Sequence, residues 1–208
     1  MLIKKEIQNI ARKIHIYVSM FVLLILLFFT FTGVTLNHGD LFVKSNVEAK
    51  SEIIKIPHSF FSSKKNIENL DEDKLLEYIS DHSDVHGVAS DLQVYTQYKN
   101  EKILEGDISI NYKSPGYDAV VYIDLKTETA EIEMTDYGFI AKLNDLHKGR
   151  NTGIFWKLFI DMIIVLITIL VLAGVCLLIP KNKVMNNALK MTFLGGCVAV
   201  VIYYYFIS

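Results

Sequence analysis

The stretch that decides the fold is residues 16–36, IYVSMFVLLILLFFTFTGVTL, in which no side chain is charged. About 20 apolar residues in a helix are enough to cross the hydrocarbon core of a bilayer. Residues 154–179 have a similar composition with only two charges, and residues 191–207 have none. The sequence therefore predicts an α-helical membrane protein with three transmembrane helices, at 16–37, 154–179 and 191–207.

The alternative for the first stretch is a cleaved signal peptide. Its apolar core is longer than the roughly 7–15 residues of such peptides. It also ends in TLNH at 35–38 rather than in an Ala-x-Ala-like cleavage site. We therefore interpret this stretch as a membrane helix.

Basic residues give the expected orientation, because loops rich in lysine and arginine stay in the cytoplasm. The N-terminal segment 1–15 and the connection 180–190 are then cytoplasmic, and the segment 38–153 is periplasmic, in a bacterial inner membrane. The basic residues that carry this prediction are Lys4, Lys5, Arg12, Lys13, Lys181, Lys183 and Lys190.

The segment 38–153 is acidic, with 21 of the 23 acidic residues and 13 of the 21 basic ones, a formal charge of −8. Such a surface attracts cations or is simply soluble. Nucleic acid is excluded as a partner, because phosphate binding needs a basic face. The segment contains no cysteine, since Cys176 and Cys197 both lie in predicted membrane helices.

Hydrophobic periodicity in this segment predicts an α+β domain. Residues 70–82 have the apolar stripe and acidic first turn of a helix. Alternating patterns separated by turn residues predict strands. The predicted strands are 52–56, 91–98, 105–112, 117–125 and 128–135.

Three of the six histidines mark predicted membrane boundaries: His15 inside, and His38 and His147 outside. His15 and His38 are 23 residues apart, about 34 Å along a helix, so they cannot share a ligand. His38 and His147 can, and two histidines from neighbouring helices are a common haem ligand pair. The alternative is that these imidazoles only sit at headgroup level.

Other residues near these histidines suit a haem. Gly33 and Gly153 leave room for a porphyrin, and Asn37, Lys148 and Arg150 are donors for its propionates. Asp161, an ionisable group within a membrane helix, is a functional candidate by default. The alternative to a functional role is that Asp161 only pairs with Lys157, four residues before it on the same helix.

A second histidine pair has a weaker metal-binding pattern. His82 and His86 are four residues apart, and on a helix they would share a face with Asp81 nearby. A polar helix end gives the same string without any metal, and we prefer that interpretation.

Three strings resemble the PepSY-associated membrane-helix proteins: RKIH at 12–15, TGVTLNH at 32–38 and LNDLHKGRNTG at 143–153. The resemblance covers nearly the whole chain, and it implies that 38–153 is a PepSY-like domain. Several members of the wider family are inner-membrane reductases of ferric iron or ferric siderophores, and the larger ones carry haem b. The resemblance implies that His38 and His147 match haem positions at the outer face and His15 one at the inner face.

The chain departs from the larger members in having three membrane helices and one histidine on the cytoplasmic side. A second haem at the inner face would then need two copies of His15 across the twofold axis of a homodimer. The sequence contains no G-x-G-x-x-G fingerprint, so a quinol or a redox protein is the expected electron donor.

The leading hypothesis is a ferric reductase that delivers electrons to ferric iron or a ferric chelate in the periplasm and supports ferrous iron uptake. The second is a cofactor-free, membrane-anchored PepSY module that binds or inhibits a protein. The third is an accessory subunit of a larger membrane complex.

Overall fold

The computed structural model describes residues 2–42, 47, 49–61, 70–99 and 102–207. The chain divides into two compact units. The first, which we call the helical unit, comprises Met1–Leu27 and Leu158–Ser208, and the second, the sheet unit, is Phe28–Lys157. The sheet unit therefore includes the last turns of the helix Leu2–Asn37 and the first turn of the helix Ile154–Leu178.

Within the described residues, three helices are long and apolar enough to cross a membrane, which is consistent with the predicted helical membrane protein. They are α1 (Leu2–Asn37), α5 (Ile154–Leu178) and α6 (Asn182–Ile202), and a π-helical turn, Tyr203–Ile207, continues α6.

Two of these helices begin earlier than the predicted spans do. α1 is helical through most of 1–15, and α6 covers most of 180–190, because lysine, glutamine and alanine are good helix formers whether or not lipid surrounds them. The end of a helix does not locate a bilayer, so the predicted limits of the membrane spans stay predictions.

The sheet unit contains an antiparallel sheet of six strands within the described residues. Strand β1 pairs with β6, β6 with β5 and β5 with β4, while β2 and β3 pair with different stretches of β4. The strands are β1 (Lys50–Lys55), β2 (Val88–Ala89), β3 (Gln93–Lys99), β4 (Lys102–Ser114), β5 (Tyr117–Asp124) and β6 (Thr129–Asp136).

Alternation along the strands gives the sheet one buried face. In β5 and β6 every second side chain is buried, and Val121 on β5 pairs with Ile132 on β6. Helix α3 (Glu72–His82) covers this face with Leu75 and Ile79, both fully buried. Full burial of such a side chain contributes about 1.5–3 kcal/mol.

The predicted α+β character and the five predicted strands are confirmed, each with ends displaced by a few residues. The predicted helix 70–82 corresponds to α3, which begins at Glu72 because the side chain of Asp71 accepts the N–H of Lys74 at 3.3 Å and caps it. The predicted segment 38–153 includes residues 43–46, 48, 62–69 and 100–101, which lie outside the described residues.

Two α-helices of the described chain were not predicted, nor was the single 3-10 turn His58–Phe60. The first, α2 (Gly39–Phe42), is a single turn directly after α1. The second, α4 (Gly138–Lys148), follows β6 and carries one of the boundary histidines. It ends at Gly149, whose φ of 62° is the left-handed conformation that favours glycine at this position.

Candidate functional site

Buried polar side chains are concentrated at one place in the sheet unit. Among the described residues, the buried polar or charged ones are Thr32, Thr35, Asn144 and Asp145. The two threonines lie in the last turns of α1, and the other two lie on α4. Burying a polar group is costly unless it is hydrogen-bonded, so this concentration marks a site with defined partners.

The histidine of α4 is held by the first of these threonines. His147 Nδ1 lies 2.5 Å from Thr32 Oγ1. The Thr32 hydroxyl also lies 2.8 Å from the carbonyl oxygen of Phe28, and when it donates its single proton there, Oγ1 accepts an Nδ1–H from His147. In that tautomer the lone pair is on Nε2, which is the form in which a histidine coordinates iron.

The second threonine makes a matching contact one turn further along. Thr35 Oγ1 donates to Asn144 Oδ1 at 2.6 Å. On both helices the two partners are three residues apart, so the pairs Thr32–His147 and Thr35–Asn144 lie side by side on facing helix surfaces. We call Thr32, Thr35, Asn144 and His147 the polar junction.

The environment of His147 keeps its imidazole neutral. Burial lowers the pKa of His147, and the neighbouring charge of Lys148 lowers it further. The ring of Phe29 meets the imidazole edge-on, with the ring centroids 4.8 Å apart. Among the described residues, Nε2 has no hydrogen-bond partner, so it remains available to a ligand.

An ion pair between the buried Asp145 and the exposed Arg150 supports the end of α4. Asp145 Oδ1 accepts from Arg150 Nε at 2.9 Å and lies 2.7 Å from Arg150 Nη2, while its Oδ2 accepts the backbone N–H of Gly116 at 2.9 Å. Gly116 has a φ of 71°, and a Cβ there would lie 2.7 Å from the backbone nitrogen of Lys142, so only glycine fits. The contact with Asp145 thus holds the Arg150 side chain in place, although that side chain is exposed.

The two other predicted outer-face residues, His38 and Asn37, are exposed at the end of α1. Asn37 Nδ2 lies 3.4 Å from His38 Nε2, which is a weak contact. In the part of the chain that the structure describes, no hydrogen bond or ring contact joins His38 to His147. The structure therefore brings His147 together with Thr32 and Phe29 rather than with His38, and their shared binding of a haem stays a prediction.

In the helical unit, His15 has a hydrogen-bonding pattern like that of His147. Its Nδ1 lies 3.2 Å from the carbonyl oxygen of Leu170 on α5. A carbonyl can only accept, so Nδ1 carries the proton and Nε2 is again the lone pair. Gly174 lies beside this ring, and a Cβ there would be in van der Waals contact with His15 Cε1 at 3.4 Å.

The weaker candidate pair, His82 and His86, does not share one helix face in the structure. α3 ends at His82, so the helical spacing of the two residues is lost. His82 stacks on Tyr78 with ring centroids 4.0 Å apart, and His86 stacks on Tyr117 with centroids 3.6 Å apart. Within the described ranges, no group of three or more metal-binding side chains is present.

The polar junction could have been recognised only in part from the sequence. Thr32, Asn144 and His147 all lie in the strings that carry the family resemblance, but the strings do not show which residues meet. The available signal was spacing: two hydroxyl side chains three apart near the end of a membrane helix, and an asparagine and a histidine three apart on another segment.

Comparison with known proteins gives one result. The sequence profile of the family described as PepSY_TM-like matches residues 9–208, which is nearly the whole chain. No curated protein and no solved structure shows a significant match.

Proposed function

The chain belongs to the PepSY_TM-like family, and from this premise we propose that it is a haem-binding ferric reductase of the bacterial inner membrane. The N-terminus would be cytoplasmic and the sheet unit periplasmic. The observation that carries the proposal is His147: a half-buried, neutral imidazole whose Nδ1 is held by Thr32 and whose Nε2 is available.

The residues present suit a haem in their donor chemistry. Histidines that bind metals nearly always donate the other ring N–H to an oxygen, which fixes the ring and makes it a better ligand. His147 does so to Thr32 and His15 to Leu170. There is also room, because a Cβ on Gly33 or Gly153 would meet no atom of the described residues within 4 Å, apart from the adjoining backbone.

Each residue has a defined task in this proposal. Thr32 and Phe29 orient the ring of His147, and His38 would supply a second imidazole from the end of α1. Asn37 and Arg150 would donate hydrogen bonds to the propionates of a bound haem. His15 would hold a second haem at the inner face together with His15 of a second copy, across a homodimer axis. When bound, haem b supplies one-electron transfer.

The electron balance requires a donor that the chain does not contain. Each ferric ion takes one electron and becomes ferrous iron. A quinol gives two electrons and two protons as it becomes quinone, so one quinol reduces two ferric ions. The acidic surface of the segment 38–153, with its formal charge of −8, raises the local concentration of cationic iron.

The activity can be tested in spheroplasts that express the chain, with a membrane-impermeant ferric chelate and a colorimetric ferrous indicator outside. We expect ferrous iron to form in the external medium, and His147→Ala to reduce the rate at least about tenfold because the main ligand is lost. His58→Ala is the matched control, since His58 is an exposed histidine of the same unit.

Equal rates in the wild type, the His147→Ala variant and cells without the protein would contradict the proposal. That result would favour the cofactor-free interaction module. A colourless protein that copurifies with one protein partner would identify that function.

A further inference from the structure

A cavity of about 290 Å³ lies beside the polar junction within the sheet unit. Its apolar wall includes Leu36, in the last turn of α1, and Ala141 on α4. Its polar wall includes Asn144, Asp145, Lys148 and Arg150. A water molecule in the liquid occupies about 30 Å³, so the cavity has room for a polar group much larger than one structural water.

The most informative residue of this wall is Asn144. Its side chain is 7% exposed, and its Oδ1 already accepts the hydroxyl of Thr35. Within the described ranges, its Nδ2 donates no hydrogen bond, although Asn144 lines the cavity. A nearly buried amide with two unused N–H donors indicates a ligand that carries hydrogen-bond acceptors.

The charges of the cavity indicate that this ligand is an anion. Asp145 is neutralised by Arg150, which uses Nε and Nη2 for that contact. Lys148 then adds one positive charge that is not balanced by any acidic residue of the same wall. One surplus positive charge and several N–H donors match a phosphodiester, which carries a single negative charge and accepts hydrogen bonds at its oxygens.

The cavity is lined by residues in or next to two candidate membrane spans, which indicates that the phosphodiester belongs to a lipid headgroup. Leu36 belongs to the candidate membrane span Lys5–Asn37, and Arg150 comes four residues before the span Ile154–Leu178. Basic side chains next to membrane helices bind lipid headgroups. We propose that this cavity binds the headgroup phosphate of one anionic phospholipid of the phosphatidylglycerol type. This site does not depend on a haem or on the direction of insertion.

The proposal can be tested by native mass spectrometry of the full chain purified in a neutral detergent. Phosphatidylglycerol and phosphatidylcholine are titrated in parallel. We expect one tightly bound phosphatidylglycerol per chain and weaker binding of phosphatidylcholine. Asn144→Asp keeps the acceptor for Thr35 but replaces the two N–H donors with a carboxylate oxygen. Phosphatidylglycerol should therefore bind at least about tenfold more weakly.

A second variant and a control make the result specific. Lys148→Ala should also weaken phosphatidylglycerol binding, by removing the surplus charge. Lys142→Ala is the matched control, because Lys142 is an exposed lysine of the same helix that does not line this cavity, and its binding should equal that of the wild type. The fluorescence of Trp156, whose Nε1–H donates to the carbonyl of Leu146 at 2.8 Å, checks that each variant is folded.

Three results would overturn the proposal. One is equal binding of the two lipids. Another is binding that is unchanged in the folded Asn144→Asp and Lys148→Ala variants. The third is saturation by inorganic phosphate at the same concentrations as by lipid, which would make the cavity a site for free phosphate.

Discussion

The sheet core and the polar junction, both in the sheet unit, are built from opposite kinds of side chain. The core between α3 and the sheet is formed by aliphatic side chains such as Leu75, Ile108 and Ile132, together with one phenylalanine, one methionine and two tyrosines. The four buried polar or charged residues of the described chain all lie at or beside the polar junction instead. Apolar contact is non-directional, whereas a hydrogen bond requires one donor and one acceptor at a fixed distance.

This difference explains what each region determines. The core packs α3 against the sheet but tolerates small changes of side-chain packing. The polar junction determines which turn of α1 meets which turn of α4, because another register would separate Asn144 Oδ1 from the Thr35 hydroxyl and His147 Nδ1 from Thr32 Oγ1. The register in turn fixes the ring of His147. The junction therefore positions this imidazole, while the core supplies stability.

The largest effect is expected in the core. Ile132→Ala removes a fully buried side chain from the middle of β6 and leaves a cavity, so the free energy of unfolding should fall by about 2–5 kcal/mol. Thermal unfolding of the detergent-purified chain measures this change. Glu131→Ala, an exposed position of the same strand, should change it by less than about 0.5 kcal/mol. Equal effects of the two variants would show that this sheet face is not the core.

A smaller effect is expected beside the polar junction. Asp145→Ala leaves the buried N–H of Gly116 without its acceptor and releases Arg150, which should cost about 1–3 kcal/mol. The ion pair itself adds little, because Arg150 is 64% exposed. Asp81→Ala, at an exposed position of α3, is the control. A change in the Asp145 variant no larger than in the control would contradict the assigned support of α4.

The smallest effect is a dependence on pH. Burial lowers the pKa of His147 below its ordinary value of 6.5, so the unfolded chain binds a proton more readily than the folded one. The free energy of unfolding should therefore fall as the pH drops below about 6.5, by at most about 1.4 kcal/mol per pH unit. His147→Gln removes this group, and unfolding measured between pH 7.5 and about 5 should then show a shallower slope. An unchanged slope would mean that His147 is as easily protonated in the folded chain as in the unfolded one.

The sequence was sufficient for features that depend on local periodicity. Apolar runs predicted the three long helices, and alternation predicted β4, β5 and β6. Helix α4 was missed because Asn144 and Asp145 lie near its middle, and these residue types ordinarily favour turns. They are tolerated there because Asn144 Oδ1 accepts a hydrogen bond from Thr35, and the carboxylate of Asp145 accepts hydrogen bonds from Gly116 and Arg150.

The candidate site was predicted by residue type but not by arrangement. The histidines were identified from their places at the ends of membrane helices. That His147 faces Thr32, while His38 is exposed, depends on the rotation of α1 against α4, which no local pattern records. The same holds for His15. Its partner is a backbone carbonyl on α5, which any residue type provides, so the sequence does not reveal this contact.

The central claim, that His147 presents a haem ligand, is tested most directly by the absorption spectrum of the detergent-purified chain, oxidised and then reduced with dithionite. The cells are supplied with haem precursors. We expect a sharp Soret band with resolved α and β bands after reduction, and the loss of these bands in a folded His147→Ala variant but not in His58→Ala. A flat visible spectrum of the wild type, or one that His147→Ala leaves unchanged, would contradict the claim.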